Sequence, residues 1–318
     1  MQAIGYYIDS KIGDSVVALP AIYGLKTLHP QAKLYIFCNT LTQNLYSPFD
    51  WIEEIVLIDQ HIISHINERK LDFLVSSNTD RNTICCLKKS NVPLIYTFLK
   101  PYNLFDPRLK LLFANIITKP QTIKKTLLDL VWLTRPKGTR IKLSDCIPTL
   151  KTYPHNVQTI DTFFSTLNIN HQKLIMVNPF GYAAKVNLSL NEYAHITQVL
   201  LKDYFVILPT FKDKDSLIKN TFPQEVLSHP NFCIFHNDWD LLNLVELISR
   251  IDLLISPSTG NIHIAQNLGI PSIGIFSLRD MILWGGDKIY TLINPKNPQK
   301  TLKKILALTH KLLFPKKP

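Results

Sequence analysis

Three short segments of this 318-residue chain hold side chains that could do chemistry together. Lys11-Ile12-Gly13-Asp14-Ser15 places a carboxylate directly after the apolar run Ile4 to Ile8, with Gly13 to allow a tight turn. A carboxylate there can cap a helix, or it can act as a general base that takes a proton from a hydroxyl. Ser258-Thr259-Gly260-Asn261-Ile262-His263 sets hydroxyls and a glycine ahead of a helical stretch, where free N–H groups and the helix dipole attract phosphate. The same residues would also make an ordinary Ser/Thr cap with a loop glycine, and His263 by itself reads as structural. Asn178-Pro179-Phe180-Gly181-Tyr182-Ala183-Ala184-Lys185 frees a loop at Gly181. It ends on a lysine that is either a point charge for a diphosphate or a solvated side chain. The G-x-G-x-x-G dinucleotide pattern is absent.

These segments need elements to hold them. Ile4 to Ile8, Lys33 to Cys38, Ile55 to Ile58 and Leu71 to Ser76 read as strands. Between the first two, Val16, Leu19, Ile22, Leu25 and Leu28 recur at helical spacing within Ser15 to Leu28, with Pro20 in the early part. Lys100 to Thr134 is mixed apolar and basic and reads as helical. Gly138 to Asn156 lacks periodicity and is the expected linker. A second series follows, with strands at Leu174 to Asn178, Tyr204 to Leu208, Phe232 to Phe235, Asp252 to Ser256 and Ser272 to Phe276. Ser189 and Glu192 form a capping box, Asp240 can cap the next helix, and Asn261 to Leu268 is a third. Strands alternating with helices argue for parallel sheets with crossover helices, and ligands in such sheets lie beyond the carboxyl ends of the strands.

Length and composition agree with two globular domains: 46% of residues are hydrophobic and 19% charged. The five cysteines, Cys38, Cys85, Cys86, Cys146 and Cys233, show no metal-ligand spacing and are expected to be buried thiols. No apolar run is long enough to span a bilayer and no signal peptide is evident, so a cytoplasmic protein is expected. The net charge of +11 is uneven: Arg81 to Lys142 carries +11, Lys296 to Pro318 carries +7, and the remainder −7. Two basic surfaces suit an anionic partner, although a solvated surface would show the same pattern. No aromatic-rich basic motif accompanies them, which argues against nucleic acid.

Taken in order, four segments resemble glycosyltransferase family 9, the bacterial lipopolysaccharide heptosyltransferases and their relatives. Ile12-Gly13-Asp14-Ser15-Val16-Val17-Ala18-Leu19-Pro20-Ala21-Ile22 is similar to the family's opening I-G-D-x-V-x-x-x-P-x-I stretch. Asn178 to Gly181, leading to Lys185, resembles its lysine-bearing loop. Thr259-Gly260-Asn261-Ile262-His263-Ile264-Ala265 matches T-G-x-x-H-x-A, and Gly269-Ile270-Pro271 resembles the G-x-P strand entry that follows.

The resemblance implies an α/β GT-B architecture of two facing Rossmann-like domains with mostly parallel sheets and a cleft between them. Residues 1–150 would take the acceptor and 151–295 the nucleotide sugar, and 296–318 would be a basic helix packed on the N-terminal domain or lying at the membrane surface. It implies an inverting, metal-independent transfer with no cofactor, the donor being a nucleotide sugar, ADP-heptose in the first instance. Asp14 would be the base, with Lys11, Gly13 and Ser15 on the acceptor side. Gly181, Lys185, Ser258, Thr259, Gly260, Asn261 and His263 would hold the donor, and Asp213 or Asp215 its ribose. The acceptor would be the lipid A-core, met by a monomer at the inner face of the cytoplasmic membrane. Ser258 stands where the family usually carries Asp, and Val186-Asn187-Leu188 and Ser277-Leu278-Arg279 also depart from its pattern. The alternatives are therefore another nucleotide sugar or a catalytically weak GT-B binding protein.

Overall fold

The computed structural model describes residues 2–113, 122–140, 142, 146–169, 172–181, 186–237, 240–284, 290–293 and 297–314. The chain forms two compact units, Met1–Thr149 and Leu150–Pro318.

The first unit holds strands β1 (Ala3–Ile8), β2 (Lys33–Cys38), β3 (Glu54–Leu57), β4 (Phe73–Ser76), β5 (Ile95–Phe98) and β6 (Leu109–Leu112). Its helices are α1 (Ile12–Leu28), α2 (Gln43–Tyr46), α3 (Ile62–Glu68), α4 (Arg81–Leu87) and α5 (Ile123–Trp132). All strand pairs are parallel, in the order β3-β2-β1-β4-β5-β6. Central β1 is buried on both faces from Ile4 to Ile8, as a covered parallel strand must be. Gly5 lets β1 sit close to its neighbours, because a Cβ there would stand 2.6 Å from Leu74 Cδ1 and 2.8 Å from Leu71 Cδ1.

Two expectations fail here. Helix α1 starts at Ile12, so Pro20 lies in its interior and not in its first turns. Extensive burial of α1 offsets the hydrogen bond that the proline lacks. Among the described residues of 100–134, the expected helix is seen at α5, after a 3-10 turn at Pro101–Asn103 and strand β6. Leu109-Lys110-Leu111-Leu112 contains no β-branched residue, and its strand state comes from pairing with β5.

The second unit repeats the plan. Its strands are β7 (Leu174–Val177), β8 (Phe205–Thr210), β9 (Phe232–His236), β10 (Leu253–Pro257), β11 (Ser272–Ile275) and β12 (Tyr290–Ile293). They are parallel in the order β12-β11-β10-β7-β8-β9. The helices are α6 (Pro154–Ser165), α7 (Leu190–Leu200), α8 (Asp215–Thr221), α9 (Gln224–Leu227), α10 (Leu241–Ser249), α11 (Gly260–Leu268), α12 (Leu278–Trp284) and α13 (Pro298–Leu313). The capping box forms as expected: Ser189 Oγ accepts the Glu192 N–H at 3.3 Å, and Glu192 Oε2 accepts the Ser189 N–H at 2.6 Å. Asp240 accepts the Leu242 N–H at 2.9 Å. Both sheets thus have the strand order of a Rossmann fold, with its crevice where the order reverses.

Helix α13 belongs to the second unit. Ile305 is buried in that unit's core, and Leu302, Leu306, Leu308, Leu312 and Leu313 pack against it. The apolar face expected on the first domain or at a membrane is therefore taken, while Lys300, Lys303, Lys304 and Lys311 stay exposed. The thiols also differ from expectation: Cys38 and Cys146 are buried, Cys86 and Cys233 are partly buried, and Cys85 is exposed.

Candidate active site

In the first unit the strand order reverses between β1 and β4, and the β1–α1 connection emerges there. Two asparagines brace it. Asn78, beyond β4, accepts the Asp9 N–H and donates to the Asp9 carbonyl, each at 2.8 Å. Asn39, beyond β2, donates to Asp9 Oδ1 and to the Ser10 carbonyl, each at 2.9 Å. Asp14 follows as the third residue of α1. Lys11, not Asp14, is the N-cap of that helix, and the Lys11 backbone N–H and charge both favour the ionised Asp14 carboxylate. Partial burial nevertheless raises the Asp14 pKa, and that effect outweighs the opposing Lys11 charge and backbone bond. A carboxylate tuned upward at the carboxyl edge of a sheet suits a general base.

The neighbours of Asp14 divide. Lys11 is exposed and Gly13 half-buried, but Ser15 is fully buried. Its hydroxyl lies 3.4 Å from Ser10 Oγ and its carbonyl accepts from Tyr46 at 3.4 Å, so its bonds are structural. Gly13 makes no tight turn: it is the second residue of α1, outside the positive-φ glycines.

In the second unit the reversal falls between β7 and β10, and the other two segments flank it. Asn178, just past β7, donates to Ser256 Oγ at 3.0 Å, to the Phe180 carbonyl at 3.2 Å and to Thr259 Oγ1 at 3.5 Å. Ser256 and Thr259 hydroxyls also meet at 3.0 Å. Thr259 precedes α11, yet its side chain makes no cap hydrogen bond. With the hydroxyl turned toward Asn178 and Ser256, Gly260 and Asn261 open the helix without a side-chain cap. That corrects the ordinary-cap reading and leaves the dipole end open to an anion. Ser258 sits half-buried beside it.

His263 lies one turn on, buried, with Nδ1 3.3 Å from Gln266 Oε1 and its ring 5.3 Å from that of Trp284. Burial lowers its pKa to about 4, so it is a neutral packing group. Gly181 is half-buried, and Lys185 lies outside the described residues together with Tyr182, Ala183 and Ala184. Asn187 holds the far end of that loop, donating to the Pro179 carbonyl at 3.1 Å and accepting from the Tyr193 hydroxyl at 2.8 Å. Asp213 is exposed and pairs with Lys214 at 3.1 Å, whereas Asp215 meets His236 Nε2 at 2.7 Å. Both aspartates follow β8 at the carboxyl edge of its sheet.

Sequence reasoning missed Asp9, Asn39, Asn78, Asn187 and His236. The available signal was position, since Asn39 and Asn78 come within two residues of a strand's carboxyl end. Among the described residues, no group of three His, Cys, Asp or Glu side chains is placed to hold a metal ion. No described helix is long and apolar enough to cross a membrane.

Two parallel six-stranded sheets with Rossmann strand order define an α/β protein of the GT-B class. Residues 186–310 match the model of glycosyltransferase family 9 (heptosyltransferase). The structure is similar to Escherichia coli ADP-heptose lipopolysaccharide heptosyltransferase II, with 14% identity, a TM-score of 0.76, and coverage of 97% of this chain and 98% of that one. It is similar to a family 9 glycosyl transferase from Veillonella parvula, with 13% identity, a TM-score of 0.79, and coverage of 96% and 89%. It is also similar to Escherichia coli heptosyltransferase WaaC with ADP-2-deoxy-2-fluoro heptose, with 11% identity, a TM-score of 0.72, and coverage of 98% and 99%. No curated protein matches the chain by sequence. The match to the family model covers residues 186–310, less than half of the chain, and over that stretch it bears out the family resemblance and the enzyme class.

Proposed function

We propose that the protein transfers heptose from ADP-heptose to the core of a lipopolysaccharide or lipooligosaccharide acceptor, with inversion and without a metal. The observation that carries this reading is the family 9 match, which includes the uncapped start of α11 at the reversal of the second sheet. A base and an anion cradle are the two groups such a transfer needs. Asp14 takes the proton of the acceptor hydroxyl as its oxygen bonds to the anomeric carbon. The bond from that carbon to the diphosphate oxygen breaks, and displacement on the opposite face inverts the configuration. The leaving diphosphate is stabilised by the first N–H groups of α11, the Thr259 hydroxyl and Lys185, which serve where other transferases use a cation. Gly181, Ser258 and Asn261 shape the donor pocket, His263 packs beneath it, and Asp213 and Asp215 supply the ribose contacts. Lys11 and Gly13 lie on the acceptor side. The reaction is set in the cytoplasm at the inner face of the membrane, with the protein acting as a monomer.

Ser258 in the donor pocket favours one second reading, a different nucleotide sugar of the same chemical class. Calorimetry with ADP-heptose, ADP and UDP-sugars tests the donor site. ADP compounds should bind, and Thr259→Val should weaken them about tenfold, by loss of one hydroxyl bond to phosphate. Binding of UDP-sugars alone would select the second reading, and binding of neither would refute the donor site.

A further inference from the structure

The first unit carries an apolar tip that nothing in the sugar-transfer reading uses. Between β5 and β6, Leu104 is 51% exposed and Phe105 94%, and just past β6 Phe113 is 67% exposed. Neighbouring bonds hold this connection firmly. Tyr102 donates its hydroxyl to the Thr79 carbonyl, and Asn103 donates to the Phe98 carbonyl at 2.8 Å while accepting the Lys100 N–H at 2.8 Å. On the other side Arg108 donates to the carbonyls of Ser90 at 3.0 Å and Lys88 at 2.6 Å. Leu104 and Phe105 are therefore held outward from a braced base.

The surroundings are cationic. Lys88, Tyr102, Phe105, Asp106, Pro107 and Arg108 line a cavity of about 470 Å³. From Asp80 to Phe113 there are six basic residues and two acids, Asp80, whose charge reaches Tyr102, and Asp106, which Arg108 pairs at 3.3 Å. Lys89 and Lys110 of the same segment are exposed. An exposed aromatic and aliphatic pair carried on a segment of net positive charge is complementary to an anionic bilayer, whose headgroups meet the cations while the apolar side chains enter the interface. A protein partner would need acidic residues around an apolar pocket; a phospholipid surface supplies both as a matter of course.

We infer that this edge of the first unit, led by Leu104 and Phe105, docks the protein on anionic phospholipid. It deepens the proposed function, resting on a lipid-linked acceptor for its purpose but not for its evidence. It also replaces the C-terminal helix as the membrane contact, because the apolar face of α13 is packed on its own unit.

The test is co-sedimentation with phosphatidylcholine vesicles, with and without 30% phosphatidylglycerol (about physiological anionic content), alongside transfer to a deacylated, water-soluble acceptor. The full-length protein should bind the anionic vesicles, less so at high salt, and not the neutral ones. Leu104→Ser/Phe105→Ser should cut that binding at least tenfold (about the loss of one buried aromatic) with an unchanged melting curve. Lys88→Gln/Lys89→Gln/Lys110→Gln should cut it about a hundredfold. Transfer to the soluble acceptor should be unchanged in the Leu104/Phe105 variant, which separates failure of docking from failure of the sugar-transfer reading. Equal vesicle binding by the wild type and the Leu104/Phe105 variant overturns the inference. So does absence of vesicle binding together with a dimer that the same variant abolishes.

Discussion

Replacing Asp14 by Asn should separate activity from stability. The side chain keeps its shape and Asp14 is not the N-cap, so the start of α1 is preserved. What disappears is the base, and a positioned general base contributes about 100- to 10,000-fold to rate, or about 3–5 kcal/mol of barrier. Stability should move the other way. The folded-state pKa of Asp14 is raised, so the folded protein holds that proton more tightly than the unfolded chain. Stability then falls as pH rises from 3.8 through the raised value, and above it the ionised carboxylate is a standing cost. An uncharged Asn avoids that cost, so at pH 7 the variant should melt at or slightly above the wild-type temperature. Initial rates at saturating donor, measured by product mass, and thermal melts of both proteins make the comparison. The wild-type rate should also fall on the acid side at a pH above 3.8, the ordinary value for Asp, and the variant should lack that limb. An Asp14→Asn enzyme within tenfold of wild type, or one that is inactive because it melts early, would remove Asp14 from the role of base.

Other perturbations test the frame around the site. Asn178→Ala removes the buried link between the ends of β7 and β10 and should cost about 2–3 kcal/mol in denaturant melts, with weaker ADP binding. Gly5→Ala forces a methyl against Leu74 and Leu71 and should cost about 1–3 kcal/mol, read in the same way. His263, with its pKa lowered to about 4, should show no titration of its ring proton signals between pH 8 and 5. Its contribution to stability is complete above pH 6.5 and is lost as pH falls toward 4.

Much of the scaffold is legible because parallel strands buried on both faces leave continuous apolar runs. Lys33 to Cys38 coincides with β2, and Leu174, Phe232 and Ser272 begin strands where expected. Strand β6, Leu109-Lys110-Leu111-Leu112, escapes because it takes its state from pairing with β5, which local composition does not record, whereas β5 and β12 go unread although their β-branched and aromatic residues favour a strand. The same limit hides the bracing of the site. Asn39 and Asn78 reach Asp9 across 30 and 69 residues of chain, and His236 reaches Asp215 across 21. Thr259 shows the opposite case: its type predicts a cap, and only the meeting with Ser256 and Asn178 turns the hydroxyl away.

Incubation of the protein with a panel of nucleotide sugars and truncated core acceptors, followed by mass spectrometry of the products, tests the sugar-transfer claim most directly. ADP-heptose should add one heptose to the acceptor, and Asp14→Asn should abolish the addition. No mass gain from any nucleotide sugar, with folded protein and intact acceptor, would contradict it.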